Sequence, residues 1–188
     1  MQRTGLPQGG GTAGSPALTV ANAIGRVLDA VAVLLATGSV VVIFVALMAE
    51  VVVRYLTSAG LGWPNEIPNL LFPWLVMGGI VIGANRGNHI AAEFIRSQLG
   101  KEQLRKLLMG LHLLVAVVFA YLAYLSMGVI GITRAQVFPI TGLGQAWAYA
   151  SMLFGFGGIA LASLLNVVRV AHAADPAAVF HVETEHMT

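Results

Sequence analysis

Cysteine is absent from the 188 residues, which excludes disulfides, thiolate metal sites and cysteine nucleophiles. Charge is scarce. Asp, Glu, Lys and Arg make up 10% of the chain, against about 25% in an ordinary soluble domain. The basic residues are few and form no stripe, so a pI near 9.3 is no nucleic-acid footprint. The Gly9-Gly10-Gly11 run is not followed by Gly-Lys-Ser/Thr and is no phosphate loop. No Ser-His-Asp set, Walker motif or intramembrane acidic pair occurs. What the chain does have is apolar surface: 57% hydrophobic residues and a mean hydropathy of +0.83. A water-soluble globule of this size has too little interior to hide it, so the solvent is lipid.

The expected fold class is all-α, an integral membrane bundle of four transmembrane helices. Residues 1–25 are rich in Gly, Pro, Ala, Thr and Ser and read as a flexible tail. The membrane domain covers 26–170, with spans near 27–49, 67–84, 107–133 and 145–168. Ala30 to Ala49 carries no charge and measures about 30 Å as a helix, the thickness of the hydrocarbon core. That is longer than a signal-peptide core and no good cleavage site follows, which argues for an uncleaved helix. In the second span, Pro68 suits a first turn, Pro73 predicts an interior kink, and Gly79-x-x-x-Gly83 allows a close helix contact. Between spans two and three, Ile90, Phe94, Ile95 and Leu99 fall near one side of a short amphipathic helix at the membrane surface. Ser151, Gly155, Gly158 and Ala162 give the fourth span a small-residue face. Residues 171–188 read as a second flexible tail.

Basic residues orient the bundle. Arg3 and Arg26 precede the first span. Arg86, Arg96, Lys101, Arg105 and Lys106 fill the middle loop, and Arg169 follows the last span. The two hairpin loops hold only Arg54 and Arg134. The positive-inside rule then predicts cytoplasmic N and C termini, with Trp63, Trp147 and Tyr149 near the outer interface. The two hairpin loops share Gly-Leu-Gly at 60–62 and 142–144, an echo that fits either an old duplication or chance.

Chemistry is concentrated at the two rims of the second span. Glu50 and Arg54 stand at i, i+4 with the acid first, the order that favours an ion pair. With Trp63 and Glu66 they make either a patch that receives a partner or an interfacial salt-bridge cluster. Trp74 lies mid-span, far from either aromatic belt, and packs either into another membrane protein or within its own bundle. Arg86, His89 and Glu93 follow helical spacing at the opposite rim. His89 and Glu93 are two metal-type ligands where a site needs more, so an ion-pair and capping network is the better reading. His112 is the histidine well inside a span. A haem ligand needs a second histidine at matching depth, which favours a packed histidine hydrogen-bonded across helices. Spans one, two and four are free of ionisable residues between 30–49, 67–84 and 145–168, whereas a carrier places polar groups and broken helices at midplane. The chain is therefore expected not to conduct substrate alone.

Several stretches together resemble one family: Val-Val-Arg-Tyr at 52–55, Trp63 with Glu66, Leu-Phe-Pro-Trp-Leu at 71–75, the glycine pair at 78–79, and Arg-Gly-Asn-His-Ile-Ala-Ala-Glu from Arg86 to Glu93. They are similar to the small membrane subunit, the Q subunit, of tripartite ATP-independent periplasmic (TRAP) transporters. Asn65 holds a place where that family often has a second acid. The resemblance implies a multi-pass protein of the bacterial inner membrane that is not an enzyme and carries no cofactor or metal. It implies a large TRAP membrane subunit as partner, with the sodium sites and transport domain, and a periplasmic substrate-binding protein that delivers an organic acid. On that view Arg54, Trp63 and Glu66 lie on the outer docking rim. Trp74, Gly78, Gly79 and Gly83 pack between subunits. Arg86, His89 and Glu93 brace the cytoplasmic rim. Competing readings are the small subunit of another tripartite carboxylate importer, a haem- or quinone-binding anchor of a redox enzyme, and a self-contained oligomeric channel.

Overall fold

The computed structural model describes residues 16–86 and 100–172. Four helices account for nearly all of them: α1 (Pro16–Thr57), α2 (Ile67–Arg86), α3 (Lys101–Thr133) and α4 (Ala146–His172). A single 3-10 turn, Trp63–Asn65, leads into α2. All four helices are long and apolar enough to cross a membrane. Among the described residues the one trace of β pairing is an isolated bridge between Val137 and Gly144 in the α3–α4 loop.

Two helices begin earlier than their apolar runs. α1 is helical from Pro16, inside the stretch expected to be a flexible tail. Pro16 suits a first helical position, where its missing N–H costs nothing. Ala21 and Gly25 are then buried against the bundle, which is the tertiary contact that composition alone does not reveal. α3 begins at Lys101, so Lys101 to Lys106 form its first turns instead of closing a surface helix. Lys106 pairs there with Glu102 at 3.4 Å, both side chains well exposed. The amphipathic helix expected between spans two and three falls largely on 87–99, outside the described residues. α2 runs through Pro73 as one helix. Proline has no N–H to give, so the Asn69 carbonyl four residues earlier lacks its usual helical donor.

α4 is the centre of the bundle. Half of its most apolar stretch is buried, against 17% for α1, 22% for α2 and 17% for α3. It packs on all three other helices. Its small-residue face explains how: Ser151, Gly155, Gly158 and Ala162 are all buried. A Cβ on Gly155 would lie 2.9 Å from Met77 Cβ, and one on Gly158 2.7 Å from Val81 Cγ2. Both distances are too short for real atoms, so α2 approaches α4 only because these positions are glycine. Gly78 does the same for α1: its Cβ would meet the Ala32 carbonyl oxygen at 2.9 Å. Ala32, Val81 and Ile159 meet at the shared core of α1, α2 and α4. α3 lays Leu104, Leu108, His112 and Ala116 inward at four-residue steps. Leu104 and Leu108 close on Val170 of α4.

Topology places both hairpin loops, 58–66 and 134–145, at one end of the bundle. The starts of α1 and α3 and the ends of α2 and α4 lie at the other.

Candidate functional site

The loop end is held together by two buried carboxylates. Glu50 sits in the last turns of α1 with 3% of its surface exposed. Its Oε1 accepts a hydrogen bond from Arg54 Nη2 at 2.7 Å. Its Oε2 accepts the backbone N–H groups of Leu61 at 2.9 Å and Gly62 at 3.3 Å. The acid therefore folds the first loop back over the end of its own helix. The loop is shaped for this. Ser58 ends α1 with φ 57°, and Gly62 turns the chain with φ 79°. A Cβ on Gly60 would fall 2.5 Å from Glu50 Oε1.

Glu66, just after the 3-10 turn, fastens the other loop. It is 8% exposed. Oε1 accepts the N–H of Ile140 at 3.0 Å, and Oε2 accepts both the N–H and the hydroxyl of Thr141 at 2.8 Å. Backbone bonds from Phe138 N–H to the Leu143 carbonyl and from Gln145 N–H to the Gln136 carbonyl close that loop on itself. The two loops touch, since a Cβ on Gly62 would lie 3.1 Å from Ile140 Cδ1. The paired Gly-Leu-Gly segments are not structurally equivalent. Glu50 binds inside the first, whereas Glu66 binds the residues just ahead of the second.

This places the three residues expected at the outer rim at one end of the molecule, in different settings. Arg54 keeps 61% of its side chain exposed while bonded to Glu50. Trp63 is 40% exposed. Glu66 points inward, and its effect on any partner runs through the loop it holds. The salt-bridge reading of Glu50 and Arg54 holds geometrically, with two loop N–H groups added to it.

The four residues expected to pack between subunits divide. Trp74 is 9% exposed, and its indole N–H donates to the Trp147 carbonyl at 3.1 Å. Its ring lies 5.0 Å from the Trp147 ring and 5.9 Å from Phe154. Of the two alternatives for this tryptophan, the structure displays the internal one. Gly78 is likewise spent on α1. Gly79 and Gly83 meet nothing within 4 Å and lie on the open side of α2. Next to Trp147, a cleft of about 350 Å³ separates α2 from α4; Asn69, Pro73, Gln145 and Tyr149 are among its walls.

At the far end, Arg86 is the last residue of α2, and His89 and Glu93 lie outside the described residues. A polar cluster there had no signature in the sequence beyond isolated amides. Asn85 Nδ2 donates to the Gly25 carbonyl at 2.8 Å, and Asn166 Nδ2 donates to the Ala84 carbonyl at 3.2 Å. Arg169 donates from Nε to Asn22 Oδ1 at 3.1 Å, and from Nη1 to Asn166 Oδ1 at 2.9 Å and the Asn85 carbonyl at 3.2 Å. One guanidinium thus joins α1, α2 and α4, and its planar fork serves three partners at once. Gly25 has no room for a side chain, because a Cβ would collide with Arg169 Nη2. His112 is buried on the α3 face that meets α4.

A family model for the DctQ component of tripartite ATP-independent periplasmic transporters matches residues 43–173, which takes in both loops, α2, α3 and α4. The chain belongs to this family. A Haemophilus influenzae protein whose name describes a TRAP transporter small permease is 21% identical over 126 residues, covering 67% of this chain and 76% of that one. A Sinorhizobium fredii protein, y4mM, is 30% identical over 131 residues. The match covers 69% of this chain but 24% of y4mM, so the DctQ-like part is about a quarter of that relative's length. No solved structure matches. With four membrane-crossing helices, DctQ membership makes the chain a multi-pass inner-membrane protein and a small component of a TRAP transporter.

Proposed function

We propose that this DctQ chain is a non-conducting scaffold subunit: it buttresses the large transport subunit and offers its loop end outward to a soluble substrate-binding protein. The assembly imports an organic acid with sodium, and sodium binds in the large subunit. The chain itself is no enzyme. The observation that carries this reading is the pair of carboxylate clamps. Glu50 and Glu66 spend their hydrogen bonds on shaping two loops at one end of the bundle, which is what a docking surface needs and a conduction path does not. A preorganised surface loses less ordering entropy on binding. The apolar character of the spans agrees, since a carrier's substrate and ion sites rely on polar groups at midplane. The excess of Lys and Arg on the side of the termini supports placing the loop end outside.

Purification of the tagged chain from its native membrane in mild detergent, followed by mass spectrometry, tests the scaffold role. One large polytopic membrane protein near 1:1 is expected. Recovery of the chain alone, or with a soluble redox enzyme, would overturn it. Sodium-driven uptake by liposomes holding both membrane subunits and the binding protein, absent when the small chain is omitted, completes the test.

A further inference from the structure

The two clamps have an electrostatic consequence. Among the described residues the loop end carries two acids, Glu50 and Glu66, and both point inward onto backbone N–H groups. It carries two cations, Arg54 and Arg134, and both face solvent. Arg134 follows the last turn of α3 at the base of the second loop and makes no ion pair among the described residues. The charge shown outward is therefore positive, although the charges at this end sum to zero. At the same end the second loop exposes apolar side chains: Ile140 at 59%, Val137 at 56% and Leu143 at 45%.

Lipid tails do not account for these apolar residues. Ala30 to Ala49 already spans the hydrocarbon, and Glu50 to Thr57 carries the helix about 12 Å further at 1.5 Å per residue. The second loop stands level with the first, because a Cβ on Gly62 would lie 3.1 Å from Ile140 Cδ1. Both loops thus stand at or beyond the headgroups, where an exposed apolar cluster on a fixed backbone marks a protein contact.

We infer that this surface receives an acidic, apolar-centred face of a soluble protein, with carboxylates set opposite Arg54 and Arg134 around a contact on Val137, Ile140 and Leu143. The inference rests on the docking reading and adds the chemistry of the partner. It also assigns Arg134 a role that the rim motifs of the second span do not. Arg54 is half committed to Glu50, so Arg134 is the cleaner probe.

The test uses the two-subunit membrane complex in nanodiscs and the transporter's own purified soluble binding protein, with binding read by interferometry. Arg134→Glu is expected to weaken binding about tenfold or more, and Arg134→Lys to stay within about threefold of wild type. Leu143→Asp is expected to weaken binding as strongly, and wild-type binding to fall as salt rises from about 50 to 300 mM. Co-purification of the large subunit is expected to be unchanged in all three variants. Undiminished binding by Arg134→Glu, or salt-insensitive binding, overturns the acidic-partner inference and leaves docking standing. No binding by the wild-type complex removes both. An Arg134→Glu defect confined to nanodiscs containing phosphatidylglycerol assigns the arginines to anionic lipid and also overturns the inference.

Discussion

Glu66 shows how one side chain acts across the chain. It is separated in sequence from Thr141 by the whole of α2 and α3, yet Oε2 is 2.8 Å from both the backbone nitrogen and the hydroxyl of Thr141. Replacing Glu66 with Ala removes three acceptor contacts at once. Hydrogen exchange at Ile140 and Thr141 is expected to quicken by about tenfold or more, while Leu61 and Gly62 keep their protection under Glu50. Glu50→Ala is expected to give the reverse pattern. If either variant loosened both loops equally, the two clamps would be one cooperative unit and not two. At the opposite end, Asn166 is 2% exposed and bridges the Ala84 carbonyl to Arg169. Asn166→Ala takes a partner from the part-buried Ala84 carbonyl and one of three from Arg169, a loss of about 1–2 kcal/mol. A fall of several degrees in the thermal midpoint in detergent checks it. Arg169→Lys is expected to fail as a replacement, because an ammonium on a flexible stem has no planar fork to serve Asn22, Asn85 and Asn166 together.

These residues also differ in how far local spacing specifies their partners. Glu50 and Arg54 are legible as a pair because their spacing is local, and the structure adds only the loop they hold. The partner of Glu66 is not legible, because nothing in the spacing says which of several loop N–H groups a carboxylate meets in three dimensions. Asn22, Asn85 and Asn166 look like ordinary amides near span ends, and only the packing of α1 and α2 on α4 turns them into a network around Arg169. Counting spans succeeds for the opposite reason: apolar length is a local property with a fixed yardstick, the bilayer. The start of α1 is not legible either, because Pro16 to Arg26 lies outside the apolar run and its inward face is the small residues Ala21 and Gly25.

At the scale of elements, glycine positions separate internal packing from what the bundle leaves open. Gly78, Gly155 and Gly158 sit at helix crossings with no space for a Cβ, while Gly79 and Gly83 face outward. Gly155→Leu is expected to drive a side chain into Met77 and to lower the yield and thermal midpoint of the isolated chain, at a cost of about 1–3 kcal/mol or more. Gly79→Leu is expected to leave the isolated chain folded. Should Gly79→Leu nonetheless reduce recovery of the large subunit, the open side of α2 is where the partner helix lies. If assembly is unchanged, that side faces lipid. The same contrast reassigns Trp74, whose Ala variant is expected to loosen α2 from Trp147 and Phe154 before it affects any partner.

At the scale of the whole molecule, the decisive quantity is which end faces out. α1 is 42 residues long, about 63 Å, and so extends well past a hydrocarbon core of about 30 Å. Its ends and the loops beside them are therefore in reach of water, and the absence of cysteine makes them easy to probe. Single cysteines at Ala59 in the first loop and Ala135 in the second fall on exposed positions, as does one at Ala171 in the last turn of α4. In intact spheroplasts, a membrane-impermeant maleimide is expected to label Ala59→Cys and Ala135→Cys, and to label Ala171→Cys only after permeabilisation. The opposite labelling would turn the clamped loops toward the cytoplasm, out of reach of any periplasmic protein. The docking proposal would then fail as a whole, while the scaffold role at the flanks of the helices would stand, because α4 packs its neighbours the same way in either orientation. Orientation is thus the one property on which the loop-end chemistry depends and the bundle does not.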